Sequence, residues 1–293
     1  MQLVDRTSTR VGREALGRLL RSPAHDAEVI VANQQAQRVL ASDAGRCQAI
    51  VSQSELEGLV RYLGTATAEY GWIYPVPSDH FSVQGLRHPF LGSQAVPNDL
   101  ELDSRVRVCF LTGPNMAGKS TLLRAIGVAM LLAHAGCGVP ASSMAFPVVG
   151  AIFSSVSVSD SLHAGESFYL AEIRRLKLLA EALRDHGSAF AVLDEPLRGT
   201  NVHDATDATL AVMIRLAEQP SSLVFVASHI SEVGVAVADD ARIRLLHVAA
   251  TIAGDQIQYD YVLREGLSAQ RLGMTLLRQE RVLELLESAA SVP

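Results

Sequence analysis

The sequence predicts an α/β fold: a mainly parallel sheet flanked by helices, preceded by a small helical segment. Three observations carry this. From about residue 80 to residue 265, short apolar runs alternate with helical patterns, as parallel sheets with crossover helices require. One junction, Gly113-Pro114-Asn115-Met116-Ala117-Gly118-Lys119-Ser120, fits G-x-x-x-x-G-K-[ST] between a strand and a helix. The chain has 293 residues and 48% apolar content, enough for a substantial core in one large domain or two modest ones.

Residues 1–70 read as a helical segment. Val11 to Arg21 place Val11, Ala15, Leu16, Leu19 and Leu20 near one face, and Ser22-Pro23 ends that helix. Asp26 is placed to cap the next helix, which runs through Val29, Ile30, Ala36, Val39 and Leu40. Ser54 to Leu63 is a third helix candidate. Arg6, Arg10, Arg13, Arg18 and Arg21 read as a solvated face. Residues 71–103, with Pro75, Pro77, Pro89 and Pro97, read as a loop-rich lead-in. Residues 104–266 are the expected α/β domain. Residues 267–293 read as a helical tail with Leu272, Leu276, Leu277, Val282, Leu285 and Leu286 as apolar contacts.

The glycine-loop junction has the context its chemistry needs. Val106 to Leu111 is a short apolar strand, and Thr121 to Leu132 a buried helix. Glycines let the backbone wrap phosphate oxygens, and the loop N–H groups and the helix N-terminus then face the anion. In this reading Lys119 contacts the β- and γ-phosphates and the Ser120 hydroxyl ligates Mg²⁺. Hydrolysis also needs carboxylates. Ala189 to Leu193 is an apolar strand ending in Asp194-Glu195. Asp194 would help hold Mg²⁺, and Glu195 would polarise the attacking water. Leu223 to Ser228 is a third apolar strand, followed by His229 in a position to sense the γ-phosphate and water. Arg198-Gly199-Thr200-Asn201 is a tight polar loop suited to contact a second nucleotide site across a dimer.

Composition narrows the classes. No apolar run is long enough to span a bilayer, and the first residues lack a signal-peptide pattern, so a cytoplasmic protein is expected. Cys47, Cys109 and Cys137 are far apart and lack metal-ligand spacing, so reduced structural thiols are expected. The formal net charge of −6 offers no global attraction to nucleic acid.

Together these residues resemble one family. Thr112 to Thr121, with Gly-Pro-Asn-Met inside the loop, is similar to the phosphate loop of the MutS family of mismatch-repair ATPases, a branch of the ABC-type P-loop ATPases. Arg87-His88-Pro89 and Pro97-Asn98-Asp99 resemble the family's approach to that loop. Ser159-Asp160, Gly165 to Tyr169 and Glu172 resemble its signature segment. Asp194-Glu195, Arg198-Gly199-Thr200 and His229 complete a likeness covering about residues 80–275. Leu3 to Thr9, Gly12-Arg13 and Leu19 to Pro23 bear a weaker likeness to the start of the family's helical core domain.

The resemblance implies ATP and Mg²⁺ in composite sites formed by a head-to-tail pair of ATPase domains, hence a homodimer. It implies that Ser167 reaches the γ-phosphate bound by the other subunit, that Tyr261 sets its ring against adenine, and that the partner is DNA or a DNA-repair protein. There are departures. Ala117 replaces a usual glycine, Glu166 and Phe168 flank the signature serine in place of Arg and Thr, Pro196 follows the acidic pair, and Ala95 stands where an aromatic is frequent. The short stretch before the ATPase leaves no room for the family's long levers and clamp, and no Phe-x-Glu wedge is present, so an abbreviated MutS-related ATPase is expected. The leading expectation is ATP hydrolysis coupled to DNA mismatch repair or related DNA processing. The alternative is a nucleotide-gated dimerisation module with slow hydrolysis and no mismatch recognition of its own. A transporter ATPase is disfavoured by the Gly-Pro-Asn-Met loop.

Overall fold

A computed structural model describes residues 17, 20–42, 70–156, 168–253, 256–268, 270 and 272–290. Most of the expected first helix, the 54–63 helix, Cys47 and the 157–167 part of the signature segment lie outside these residues. The helix expected after Asp26 is α1 (Ala27–Ser42). Asp26 caps it: its carboxylate accepts the Glu28 N–H at 2.7 Å, satisfying a donor that the helix itself cannot.

The central sheet has six strands. β4 (Val108–Thr112) lies in its interior, between β8 (Leu223–Ala227) and β9 (Ile243–Ala253). β7 (Ala189–Asp194) and β6 (Ala151–Ser155) continue the sheet on one side, and β10 (Gln256–Glu265) closes the other. Every pairing is parallel except the β9–β10 hairpin. The crossovers are helical: α2 (Lys119–His134) after β4, α3 (Phe168–His186) after β6, α4 (Val202–Ala217) after β7 and α5 (Ser231–Ala236) after β8.

Strand periodicity divides the core in two. Cys109, Leu111, Phe190, Val192, Phe225 and Ala227 point to one face and pack with α2. Val108, Phe110, Ala191, Leu193, Val224 and Val226 point to the other and pack with α3, α4 and α5. Because both faces are covered, these strands read as continuous apolar runs rather than alternating ones. Cys109 and Cys137 are free and buried. Burial pushes the Cys109 thiol far up and the Cys137 thiol up to about 12, which makes both unreactive.

Residues 71–103 differ from the loop-rich expectation. They carry β1 (Val76–Ser78), β2 (Phe81–Leu86) and β3 (Asn98–Leu102), which join β5 (Ser143–Pro147) in a second sheet ordered β1-β5-β2-β3. The prolines do not prevent this. Pro77 sits in edge strand β1, and Pro75, Pro89 and Pro97 fall outside the strands, where no ladder N–H is needed. Phe81 and Val83 bury one face of β2, and the Phe81 ring meets Phe225 of the central sheet edge-on at 5.9 Å. The tail forms two short helices, α6 (Gly273–Gln279) and α7 (Val282–Ala290).

Candidate functional site

The loop from Gly113 to Gly118 joins the C-terminal end of β4 to the N-terminus of α2. Its glycines are required by geometry. Gly113 has φ 142°, and a Cβ there would sit 2.4 Å from the Val248 carbonyl oxygen. Gly118 caps α2 at φ 96°, and a Cβ there would meet the Tyr261 ring at 3.0 Å. Met116 takes a left-handed φ of 69° and is exposed, while Ala117, in place of a usual glycine, is fully buried. Lys119 is 6% exposed, and its ammonium donates to the carbonyls of Gly113 at 2.8 Å and Pro114 at 3.1 Å. Burial lowers its pKa, against the pull of Glu195 and Asp194.

A cleft of about 530 Å³ opens over this loop. Asn115, Met116, Gly118, Lys119, Ser120, Thr121, Glu172, Asp194, Glu195 and Arg198 line it. Asp194 ends β7 with one carboxylate oxygen buried and without a hydrogen-bond partner among the described residues. Asp194 with its orphaned oxygen, Ser120 and Glu195 line one cleft, and such oxygen donors suit a hard divalent cation. Among the described residues no cluster of three or more His, Cys, Asp or Glu offers an all-protein metal cage. Two carboxylates and one hydroxyl would leave further coordination positions to other oxygen donors, which is compatible with the chemistry of Mg²⁺.

Glu195 is held in a strained turn. Its φ is 48° and that of Leu197 is 63°, with Pro196 between them. Two non-glycine residues in the left-handed region cost of order 1–3 kcal/mol each and persist only when the surroundings over-determine them. Here the Glu195 N–H is fixed to the Ala227 carbonyl at 2.8 Å, and Leu197 is buried. The Glu195 carboxylate lies 3.4 Å from His229 Nδ1 and 3.9 Å from Arg198 Nη1. Hydrogen bonding to His229 lowers the Glu195 pKa, and the same contact raises that of His229. From α3, the buried Glu172 accepts the Gly199 N–H at 3.3 Å and so fastens the loop that carries Arg198. Burial raises the Glu172 pKa, against the Gly199 N–H and the charges of Arg198 and Arg175. A further groove of about 430 Å³ lies on the far side of the loop, lined by Gly113, Pro114, Asn115, Glu195, His229, Ser268 and Gln270 among others.

A family model described as MutS domain V matches residues 109–291. The chain belongs to the MutS family. It is 31% identical to "DNA mismatch repair protein MutS 2" of Halobacterium salinarum, over 90% of this chain and 33% of that protein. It is 30% identical to a "DNA mismatch repair protein MutS" of Natronomonas pharaonis, over 76% of this chain and 26% of the relative. With "DNA mismatch repair protein msh3" of Aspergillus niger it shares 29% identity, over 74% of this chain and 20% of that one. The chain thus spans about a third or less of these MutS relatives. Among the described residues no helix is long and apolar enough to cross a membrane.

Against the MutS-type expectations, the structure brings Lys119, Ser120, Thr121, Asp194 and Glu195 to one cleft, with His229 against Glu195. Ser167 lies outside the described residues. Tyr261 borders an adjoining cleft of about 440 Å³ that shares Met116, Gly118 and Thr121 with the first and is also lined by Ala95 and Leu122. In the sequence Glu172 stands out only within a signature likeness and Asn98 only within an approach motif. Neither contact is visible in the sequence, because the hydrogen bonds that Glu172 and Asn98 make cross 27 and 163 residues of chain. The available signal was an acidic residue on a helix otherwise facing an apolar core, and Pro-Asn-Asp at the start of a strand.

Proposed function

We propose that the chain is a MutS-type P-loop ATPase that binds ATP and hydrolyses it with Mg²⁺ in a site shared between two copies. The cycle would be coupled to DNA mismatch repair or related DNA processing. The observation that carries this is the meeting of Lys119 and Ser120 with Asp194 and Glu195 in one cleft at the C-terminal edge of a parallel sheet, where α/β folds place ligands. The proposed division is a helical segment at 1–70, a lead-in at 71–103, the ATPase at 104–266 and a tail at 267–293, in a cytoplasmic protein.

The chemistry follows from the residues. Loop N–H groups and the α2 N-terminus face the phosphates. Lys119 turns its ammonium from the Gly113 and Pro114 carbonyls to the β- and γ-phosphate oxygens. The Ser120 hydroxyl and the Asp194 carboxylate would hold Mg²⁺, whose contribution when bound is to neutralise charge on the phosphate oxygens. Glu195 accepts a hydrogen bond from the attacking water and takes its proton as the water oxygen bonds the γ-phosphorus and the bond from that phosphorus to the β–γ bridging oxygen breaks, so that ADP leaves and inorganic phosphate remains. His229 holds the Glu195 carboxylate in place. Ser167 of the second copy completes the γ-phosphate shell.

A second reading is favoured by one observation: Glu195 is held by both His229 and Arg198, which lowers its basicity. A weaker base suits slow hydrolysis that only resets a nucleotide-gated dimer. Steady-state ATP hydrolysis across protein concentration, with and without homoduplex, mismatched and branched DNA, separates the two. Activity that rises with concentration and responds to DNA supports the first reading. Single-turnover hydrolysis indifferent to DNA supports the second. Absence of ATP binding sinks both.

A further inference from the structure

We infer that Asn98 is the positioning residue that holds Tyr261 over its cleft, so that it sets affinity for the base of a nucleoside triphosphate without acting on the phosphates. This rests on the nucleotide reading above. Between Tyr259 and Leu263 the register of β10 against β9 shifts, and Tyr261 sits in this bulge at φ 59°. A left-handed tyrosine is unfavourable on its own and needs an external restraint. Asn98 supplies it. Its amide donates to the Tyr261 carbonyl at 3.1 Å and accepts the Leu263 N–H at 2.7 Å, satisfying two backbone groups across the bulge. Asparagine suits this task because it carries a donor and an acceptor on one short rigid group. Asn98 itself is anchored in the other sheet. It opens β3, paired with Leu86, and the adjacent Asp99 carboxylate accepts the Gly85 N–H at 2.6 Å.

The consequence lies at the ring. Held this way, Tyr261 lies against Gly118 and leaves 45% of its surface exposed beside the 440 Å³ cleft. The other walls are mostly aliphatic or small, among them Ala95, Met116, Thr121 and Leu122, with His88, Gln94 and Asn98 as the polar part of the lining. Among the described residues the other ring on this lining is the His88 imidazole, smaller than the phenol, so Tyr261 offers the larger stacking face to a planar base, and its orientation governs that contribution.

Calorimetric titration of the full chain with MgATP and with tripolyphosphate tests this. Asn98→Ala is expected to weaken ATP about tenfold and tripolyphosphate less than about twofold, since one stacking contact is at stake. Asn98→Asp keeps the acceptor and loses the donor, so it serves if the alanine variant does not fold and is expected to weaken ATP in the same selective way. In a Tyr261→Ala background, Asn98→Ala should add nothing. Equal loss of both ligands, an undiminished effect without the Tyr261 ring, or unchanged ATP affinity in a folded variant would each overturn the inference. A wild-type chain that binds tripolyphosphate but not ATP would overturn it together with the nucleotide reading.

Discussion

Two of the left-handed residues that border the candidate site, Glu195 and Tyr261, are held in opposite ways. Glu195 is fixed from nearby. It follows β7, precedes a proline, and its N–H is tied to Ala227 on the adjacent strand. Tyr261 is fixed from afar, by a side chain 163 residues away in another sheet. The first arrangement belongs to the sheet edge itself and persists as long as β7 and β8 pair. The second depends on one amide and on the docking of two sheets. Residues proposed for phosphate chemistry therefore sit on the rigid element, and the residue proposed for base contact sits on the adjustable one. A site that must place a reacting atom within tenths of an ångström gains from the first, whereas a stacking surface tolerates the second.

The largest expected effect breaks the rigid side. Glu195→Gln keeps the shape and removes the base, so single-turnover hydrolysis should fall by roughly 10²–10⁴-fold while ATP still binds. A loss under tenfold would remove Glu195 from the proposed chemistry. Next comes Gly113→Ala, which forces a Cβ to within 2.4 Å of the Val248 carbonyl at a φ of 142°. Thermal or urea unfolding should show a loss of roughly 2 kcal/mol or more, since backbone must move to relieve the clash. An unchanged midpoint would show that the β4–β9 approach is looser than described.

Two smaller effects differ in sign with pH and sharpen the contrast within the acidic cluster. The Glu172 pKa is raised above its ordinary 4.5, chiefly by burial. The native state then holds a proton that the unfolded chain releases, so the wild-type chain loses stability as pH rises through that raised value. Glu172→Gln still accepts the Gly199 N–H and carries no buried charge. Its unfolding free energy relative to wild type, followed by urea titration, should climb between pH 4 and neutrality, by under about 1 kcal/mol. A flat difference would mean that Glu172 is not desolvated in solution.

For the Glu195–His229 contact the lowered carboxylate and raised imidazole stabilise the folded chain most between their ordinary values, 4.5 and 6.5. That contribution is lost above this window as pH passes through the raised His229 value, and below it as pH passes through the lowered Glu195 value. His229→Asn should therefore cost most within this window and least at the extremes. With His229 half exposed, the cost stays under about 1 kcal/mol. A penalty that grows above pH 8 would contradict the assigned pair.

How much could be read beforehand follows the same division. The α/β class, the parallel strands and the Asp26 cap were legible because each is signalled by neighbouring residues. That Lys119, Ser120, Asp194 and Glu195 stand at strand ends was legible because strand-end position is a local property, and parallel strands bring their C-terminal ends to one edge. The second sheet was missed. Four prolines in 71–103 suggested loops, yet an edge strand and strand boundaries accommodate them without losing a ladder bond.

By itself, then, the sequence determined the strand and helix pattern, the glycine loop and the acidic strand end, because contiguous residues encode them through periodicity, backbone permission and side-chain chemistry. Tertiary structure alone decided that Asn98 braces Tyr261, that Glu172 fastens the Arg198 loop, and that His229 meets the Glu195 carboxylate. Each of these is a contact between residues distant in sequence. A hydrogen bond acts over about 3 Å of space whatever the length of chain between its partners, so only the packing of the elements brings it into being.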